Sequence, residues 1–335
     1  MSRLGVCHIS YMPTVRRRLL ALLPKLGLNV QDLGPGTVLL SRSNGHQVTD
    51  VGSTAWLVSS GLNKVAQQEA GSIATVARAE GWKTVPLAPG AQLLTREEHV
   101  AANMPELQKS ASNYLAAQHV AWLLRHYRVN CVFDVGANTG QYAKQLRRAG
   151  YSGRIASFEP VPDTAETLRQ AAADDPDWFV YPYALGREDT TTSMNVVYGT
   201  MSSLLDPSEF GSTRYKRFKN TRTQEIEVRR LDGLMDEILD GLDKPRPYLK
   251  LDTQGYDLEA FAGLGGRAKE LVGMQSEVAL MQIYEGMPRM QEAIDTYEAA
   301  GFEITGMFPV TREEATGRVL EFDCVLARAE AAPES

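Results

Sequence analysis

Asp134-Val135-Gly136-Ala137-Asn138-Thr139-Gly140-Gln141-Tyr142 is the stretch on which the reading of this chain turns. It follows the apolar run Cys131-Val132-Phe133, which reads as a buried parallel strand, and precedes a helical pattern that ends at Gly150. Strand, glycine turn and helix make the geometry of a nucleotide-type cofactor site. The spacing is Asp-x-Gly-x-x-x-Gly, not Gly-x-Gly-x-x-Gly, and the difference is chemical. A dinucleotide site aims helix N-terminal amides at a diphosphate and needs its middle glycine for close backbone approach. Here Asn138 takes that place and Asp134 opens the turn with a carboxylate. A carboxylate repels a diphosphate but suits the α-amino group of S-adenosylmethionine (SAM). The stretch therefore reads as a SAM site, with Asp134, Gly136, Asn138, Gly140 and Gln141 as cofactor residues. Asn138 and Gln141 serve equally well as helix caps.

Working outward, Arg154-Ile155-Ala156-Ser157-Phe158 is a second strand ending at Glu159-Pro160, 25 positions after Asp134. A carboxylate there is placed to accept hydrogen bonds from ribose hydroxyls. Pro162 and Asp163 open the next helix. Trp178–Tyr183 reads as a third strand, closing at Ala184-Leu185-Gly186, and Pro247–Leu251 as a fourth, ending at Asp252-Thr253-Gln254-Gly255-Tyr256-Asp257. Ligands of open α/β sheets gather beyond the carboxyl ends of the strands. Asp134, Glu159 and Asp252 all stand at such ends, as one shared crevice requires.

Further motifs occur in a fixed order: Phe158-Glu159-Pro160, Ala184-Leu185-Gly186, Ser202-Ser203-Leu204, Arg230-Leu231-Asp232, Leu249-Lys250-Leu251-Asp252-Thr253-Gln254-Gly255, Tyr284-Glu285-Gly286 and Gly301-Phe302. With the glycine turn, they resemble the FkbM-type SAM-dependent methyltransferases from about residue 112 to 328. The resemblance implies a class I methyltransferase fold: a Rossmann-like α/β architecture with a seven-stranded, mostly parallel sheet and an antiparallel C-terminal hairpin. It also implies O-methylation of a small-molecule hydroxyl, on a sugar or a natural product of secondary metabolism. It does not extend to the first hundred residues, so the acceptor is not implied.

Toward the C-terminus, Val272–Leu280 reads as a fifth strand and Pro288 opens a helix through Met290, Ile294 and Tyr297, capped at Gly301. Phe302–Phe308 and Glu321–Arg328 form the closing pair, bridged by Thr311–Arg318. Ser110–Tyr127 has the apolar spacing of an amphipathic helix, packed on the sheet or across the SAM site. Residues 198–222 form a long polar insertion of the kind that makes lids or binding loops. Its cations Arg214, Lys216, Arg217, Lys219 and Arg222 read as a solvated loop, with contact to an acidic acceptor as the alternative. Residues 1–95 read as a small α/β accessory domain with strands at Thr37–Ser41 and Ala55–Val58 and a helix near Gly71–Glu80. Pro86-Leu87-Ala88-Pro89-Gly90 is the candidate linker to a SAM-binding domain spanning 105–330. Lid, acceptor recognition and homodimer interface are the roles open to the first domain.

Composition sets limits on partners. With 43% apolar and 23% charged residues, a 335-residue chain can bury full cores in two domains. The net charge of −6 is split: residues 1–100 carry +4 and the rest −10. An acidic body lacks the basic stripe of a nucleic-acid groove. Leu19–Leu23, after Arg16-Arg17-Arg18, is cut short by Pro24, so it predicts a helix with one buried face and no membrane contact. Cys7, Cys131 and Cys324 form no pairing pattern, which suits a reducing cytoplasm.

The proton acceptor is constrained by histidine placement: His8, His46, His99, His119 and His126 all precede the cofactor motif. Methyl transfer needs a hydroxyl aligned about 3 Å from the methyl and a base for its proton. Asp252 is the first candidate base, with Glu277 and Glu285 next. Tyr256 and Tyr284 are candidates for the acceptor pocket or for core packing. Asp252, Asp257, Glu277 and Asp323 are oxygen ligands of the type Mg²⁺ takes, although no spacing marks a metal site. Two other readings stand beside the enzyme: a SAM-binding module without catalysis acting through its N-terminal domain, and a nicotinamide oxidoreductase, which Asp134 and Asn138 disfavour.

Overall fold

A computed structural model describes residues 5–8, 29–32, 37–41, 46–50, 55–60, 82–88, 91–96, 104–197, 199, 201–313 and 315–333. The chain divides into two compact units, 1–114 and 115–335. In the first, β1 (Gly5–His8), β2 (Asn29–Asp32) and β3 (Thr37–Ser41) form one antiparallel sheet in the order β1-β3-β2. A second antiparallel sheet joins β4 (His46–Asp50), β5 (Ala55–Ser60), β6 (Trp82–Ala88) and β7 (Ala91–Arg96) in the order β4-β5-β7-β6. Trp56, Leu57 and Val58 are consecutive and all buried, so β5 is covered on both faces. The expected linker is not one: Pro86, Leu87 and Ala88 belong to β6, and Ala88 pairs with Ala91 across a hairpin. The helices expected near Leu19–Leu23 and Gly71–Glu80 lie outside the described residues.

The second unit holds a seven-stranded sheet. Its strands are β8 (Cys131–Val135), β9 (Arg154–Phe158), β10 (Trp178–Tyr181), β14 (Pro247–Leu251), β15 (Gly273–Ala279), β16 (Glu303–Arg312) and β17 (Val319–Ala327). They run in the order β10-β9-β8-β14-β15-β17-β16. All pairings are parallel except those of β17, which is antiparallel to both neighbours. This is the class I methyltransferase sheet. The five residues of β8 and of β14 are all buried, as central parallel strands covered on both faces must be.

On one face, Phe133, Leu249, Met274 and Val278 pack against helices α5 (Met235–Leu239), α6 (Asp257–Ala262) and α7 (Met290–Ala299). On the other, Val132, Ile155, Tyr248 and Val325 pack against α2 (Gln141–Arg148) and the C-terminal half of α1 (Met104–His126). Val120, Leu123 and Leu124 of α1, with Tyr127 just after it, enter that core, so this half of the helix lies on the sheet, and none of its described side chains lines the cleft. Helix α3 (Pro162–Ala172) has its proline in the first turn, where no intrahelical N–H is needed.

Three boundaries differ from the sequence reading. The third strand stops at Tyr181, and Ala184–Leu185 is a separate strand, β11, paired with β13 (Arg222–Arg229). β13 also pairs with β12 (Thr190–Val196), making a small side sheet in the order β11-β13-β12. The closing strands are longer than expected, so their turn narrows to Glu313–Arg318, where the Glu313 amide donates to the Arg318 carbonyl at 2.9 Å. Finally, the polar insertion is not a plain loop. It holds helix α4 (Glu209–Arg214) and a 3-10 turn (Lys216–Asn220), whose Phe210, Tyr215 and Phe218 pack against Ile283 and Tyr284.

Candidate active site

A cleft of about 1030 Å³ opens beyond the carboxyl ends of β8, β9 and β14. Its floor is the glycine turn. Gly136 has φ +75°, and a Cβ built there would stand 2.0 Å from the Asp252 carbonyl oxygen, so only glycine lets β8 and β14 meet at that point. Gly140 has φ +84°, and its Cβ would meet the Trp178 ring at 2.7 Å. The turn closes with Asn138 in the left-handed region (φ 50°), its Oδ1 accepting from the Thr139 amide at 2.8 Å. Asn138 Nδ2 donates to the Gly199 carbonyl at 3.1 Å, which ties the insertion down over the cradle. Gly199, Ser202, Leu204 and Asn220 of the insertion all line the cleft.

Glu159 is buried at the end of β9. Its two oxygens accept the amides of Asn138 and Val161, each at 3.0 Å, and its carboxyl faces the cleft. Burial pushes this carboxyl up to about 7, against the pull of those amides. Each oxygen keeps a lone pair for a further donor. Beside it Val161, Ala184, Leu185, Met194 and Val196 make an apolar wall where the side sheet adjoins the cleft.

Asp134 is fully buried and does not reach the cleft wall. Its Oδ2 accepts from Ser157 Oγ at 3.1 Å, and Ser157 in turn accepts from Trp178 Nε1 at 2.9 Å. Its Oδ1 faces Lys250 Nζ at 3.2 Å, an ion pair without hydrogen-bond alignment. Lys250 is the group standing between Asp134 and the cleft. Its ammonium also lies 3.5 Å from Asp252 Oδ2, donates to the carbonyls of Val135 and Gly136, and sits over the Tyr142 ring. Burial pulls the ammonium down, but the two carboxylates outweigh that and hold its pKa above the usual lysine range. Sequence reasoning passed over Lys250, although a lysine inside an otherwise apolar strand is itself the signal, because a buried charge demands a partner.

The candidate bases are distributed unequally. Asp252 lines the cleft, with Oδ1 accepting from Gln254 Nε2 at 3.0 Å. Glu277 stands behind Gln254, which donates to it at 3.2 Å, and it is not on the cleft wall. Burial and the facing carboxylates of Glu321, Asp252 and Asp323 push Glu277 well above the ordinary carboxyl range. Glu285 is exposed and away from the cleft. Gln254 is itself left-handed (φ 55°), and its Oε1 accepts from the buried Tyr284 hydroxyl at 3.2 Å. Tyr284 therefore orients this amide, while Tyr256 lines the cleft. Gln141 lines it too, as do Tyr142 and Gln275, whose side chains are joined by a 2.8 Å hydrogen bond.

Asp257 is committed elsewhere, accepting from Thr253 and from Ser276. Among the described residues, no group of three or more His, Cys, Asp or Glu side chains converges to hold a metal ion. Of the insertion's cations only Arg222 lines the cleft, paired with Asp163 at 3.1 Å; Arg214 is spent on the Arg312 carbonyl. No described histidine lines the cleft. His119 is held on α1 between Trp122 and Phe308.

The residues present fit SAM: a glycine cradle, an acid for ribose hydroxyls and an apolar wall for a flat heterocycle. A model of the methyltransferase FkbM domain matches residues 134–304, just over half the chain. No curated protein matches. Similar solved structures include magnesium protoporphyrin IX methyltransferase from Synechocystis PCC 6803 with bound SAM, at 11% identity over 68% of this chain and 85% of that one, TM-score 0.37. Aeropyrum pernix fibrillarin with natively bound SAM gives 12%, 90% and 100%, TM-score 0.38. Human N-acetylserotonin methyltransferase in complex with SAM gives 13%, 95% and 84%, TM-score 0.33. The cradle, the strand order and the matched domain agree: the chain belongs to the FkbM family and is a SAM-dependent methyltransferase.

Proposed function

We propose that the enzyme methylates a hydroxyl oxygen of a small molecule, a sugar or a hydroxylated natural product, in a reducing cytoplasmic setting. The observation that carries this reading is the wall beyond the cradle, where Asp252, Gln254, Gln275, Asp323, Tyr142 and Tyr256 offer carboxylates, amides and phenols. Such groups bind and deprotonate hydroxyls. The cleft volume leaves room for a small acceptor beside a nucleoside. Buried, unpaired Cys131 and Cys324 and the acidic charge of residues 101–335 support the setting and the absence of a nucleic-acid partner. Among the described residues no helix is long and apolar enough to cross a membrane.

Bound SAM supplies a methyl group on a sulfonium, an activated leaving group. The chain's own residues do the rest. Glu159 takes the ribose hydroxyls on its free lone pairs, Val161, Ala184 and Leu185 cover the base, and Gly136 admits the backbone to close approach. Asp134 acts through Lys250, fixing the ammonium that in turn holds Asp252. The N-terminal unit is accessory, its role being acceptor recognition, lid or dimer contact.

The test is chromatographic detection of S-adenosylhomocysteine and methylated product with a panel of hydroxylated sugars and polyketides, run beside their amino counterparts. Transfer to hydroxyl acceptors alone is expected. Transfer confined to nitrogen, or none at all, refutes O-methylation.

A further inference from the structure

We propose that Asp323, and not Asp252, Glu277 or Glu285, takes the proton from the acceptor hydroxyl; this rests on the O-methylation reading above. Three observations separate the candidates. Asp323 lines the cleft, whereas Glu277 and Glu285 do not. Its carboxylate receives no hydrogen bond and joins no ion pair among the described residues. Asp252 by contrast is held on both oxygens, by Gln254 Nε2 at 3.0 Å and Lys250 Nζ at 3.5 Å. A proton arriving on Asp252 neutralises a carboxylate that is already paired with the Lys250 ammonium; one arriving on Asp323 breaks no ion pair.

The sheet explains why Asp323 is there. β17 runs backwards, so its first half lies at the carboxyl edge of the parallel strands, with Asp323 directly opposite Glu277 of β15. One level below, Lys250 is opposite Gln275, and Asp252 follows two residues later, just beyond the end of β14 at Leu251. Asp252, Glu277 and Asp323 thus form one acidic layer across three adjacent strands.

Burial pushes the Asp323 carboxyl up to about 7, aided by Asp252 and Asp257 and opposed by Lys250. A base with that value accepts a proton readily at neutral pH. The other groups around the layer are Glu321 of β17, Glu277 of β15 and Tyr142 of α2. Glu321 is also pushed up to about 7 by burial, against a hydrogen bond from Thr311, but it is not on the cleft wall.

In the step itself, a lone pair of the acceptor oxygen forms the bond to the methyl carbon. The hydroxyl proton passes to an Asp323 oxygen. The electron pair of the methyl–sulfur bond stays on sulfur and discharges the sulfonium, leaving S-adenosylhomocysteine, the methyl ether and one proton on the enzyme.

The experiment needs no known acceptor. SAM carries a positive sulfonium and S-adenosylhomocysteine does not, so the ratio of their affinities reports negative charge facing the methyl; Glu159, which serves both alike, cancels. Full-length protein is titrated calorimetrically with each compound between about pH 5.5 and 8.5. The wild-type ratio should rise on the order of tenfold through a midpoint near 7. In Asp323→Asn the step should vanish while S-adenosylhomocysteine still binds. In Asp323→Glu it should persist. In Asp252→Asn the step should remain but move to lower pH, because a charge that raises Asp323 is gone. A step unchanged in Asp323→Asn, or abolished in Asp252→Asn, overturns the assignment. In a second arm, hydroxyl turnover that survives Asp323→Asn with its pH profile intact overturns it while O-methylation stands. Absence of hydroxyl turnover in the wild type overturns both.

Discussion

Replacing Lys250 by methionine tests the electrostatics of the cradle most directly. Methionine nearly matches the side chain in length and volume, so the change keeps the packing and removes the charge together with its contacts to Asp252 and to the Val135 and Gly136 carbonyls. In the native protein the Lys250 side chain is 7% exposed and that of Asp134 is 0% exposed, with 3.2 Å between their charged atoms. After the change, Asp134, buried in the native protein, keeps only Ser157 Oγ as a partner. Breaking a buried pair on one side costs about 3–5 kcal/mol, because a charge is left uncompensated. For a unit of this size, each kcal/mol moves Tm by roughly 2–4 °C, so a fall of about 6–20 °C is expected. The double variant Asp134→Asn, Lys250→Met removes both charges and should recover most of the loss, since replacing a whole buried pair is often close to neutral. Scanning calorimetry of wild type, both single variants and the double variant closes the cycle. A Lys250→Met protein within about 1 kcal/mol of wild type, or a double variant less stable than the single, would refute the view that Asp134 needs this ammonium.

Two further outcomes follow from named contacts. Gly136→Ala places a methyl 2.0 Å from the Asp252 carbonyl in a left-handed backbone, so β8 and β14 must part at the cradle. The backbone conformation alone costs about 1–2 kcal/mol, and S-adenosylhomocysteine affinity should fall by more than about tenfold in calorimetric titration. Glu159→Gln should change how stability depends on pH. The folded carboxyl is raised to about 7 and the unfolded one titrates near 4.3, so the folded state holds the extra proton between those values. Stability from this group is therefore full below about pH 4 and is lost as pH rises through about 7. The Gln variant should melt higher than wild type at pH 8, with a smaller difference at pH 5, and bind S-adenosylhomocysteine more weakly; an unchanged pH slope would count against the buried-carboxyl account.

Much of the fold could be read from local pattern. Cys131–Val135 and Pro247–Leu251 are apolar runs bounded by turn residues, and both became central strands. The cradle glycines were legible for the same reason: their spacing has a steric cause that acts within a few residues. Other features were set by partners distant in sequence. Trp178, Ser157, Asp134 and Lys250 form one polar chain across four strands, and nothing near Lys250 announces its carboxylates. Ala184–Leu185 looked continuous with the third strand because a chain that leaves one sheet for another stays apolar. Asp323 read as one scattered acid, since only the reversal of β17 aligns it with Glu277.

That reversal also bears on the order in which the molecule is completed. Among the described residues β16 pairs only with β17, and β17 is wedged between β15 and β16 although it follows both in sequence. During synthesis the first five strands of the sheet can assemble while β16 waits without a neighbour. The nucleoside half of the cleft, built from residues between Gly136 and Val196, is finished early. The acidic layer stays incomplete until Val319–Ala327 slides into the gap and brings Asp323 opposite Glu277. A nascent chain would thus complete its cofactor cradle before it gains Asp323.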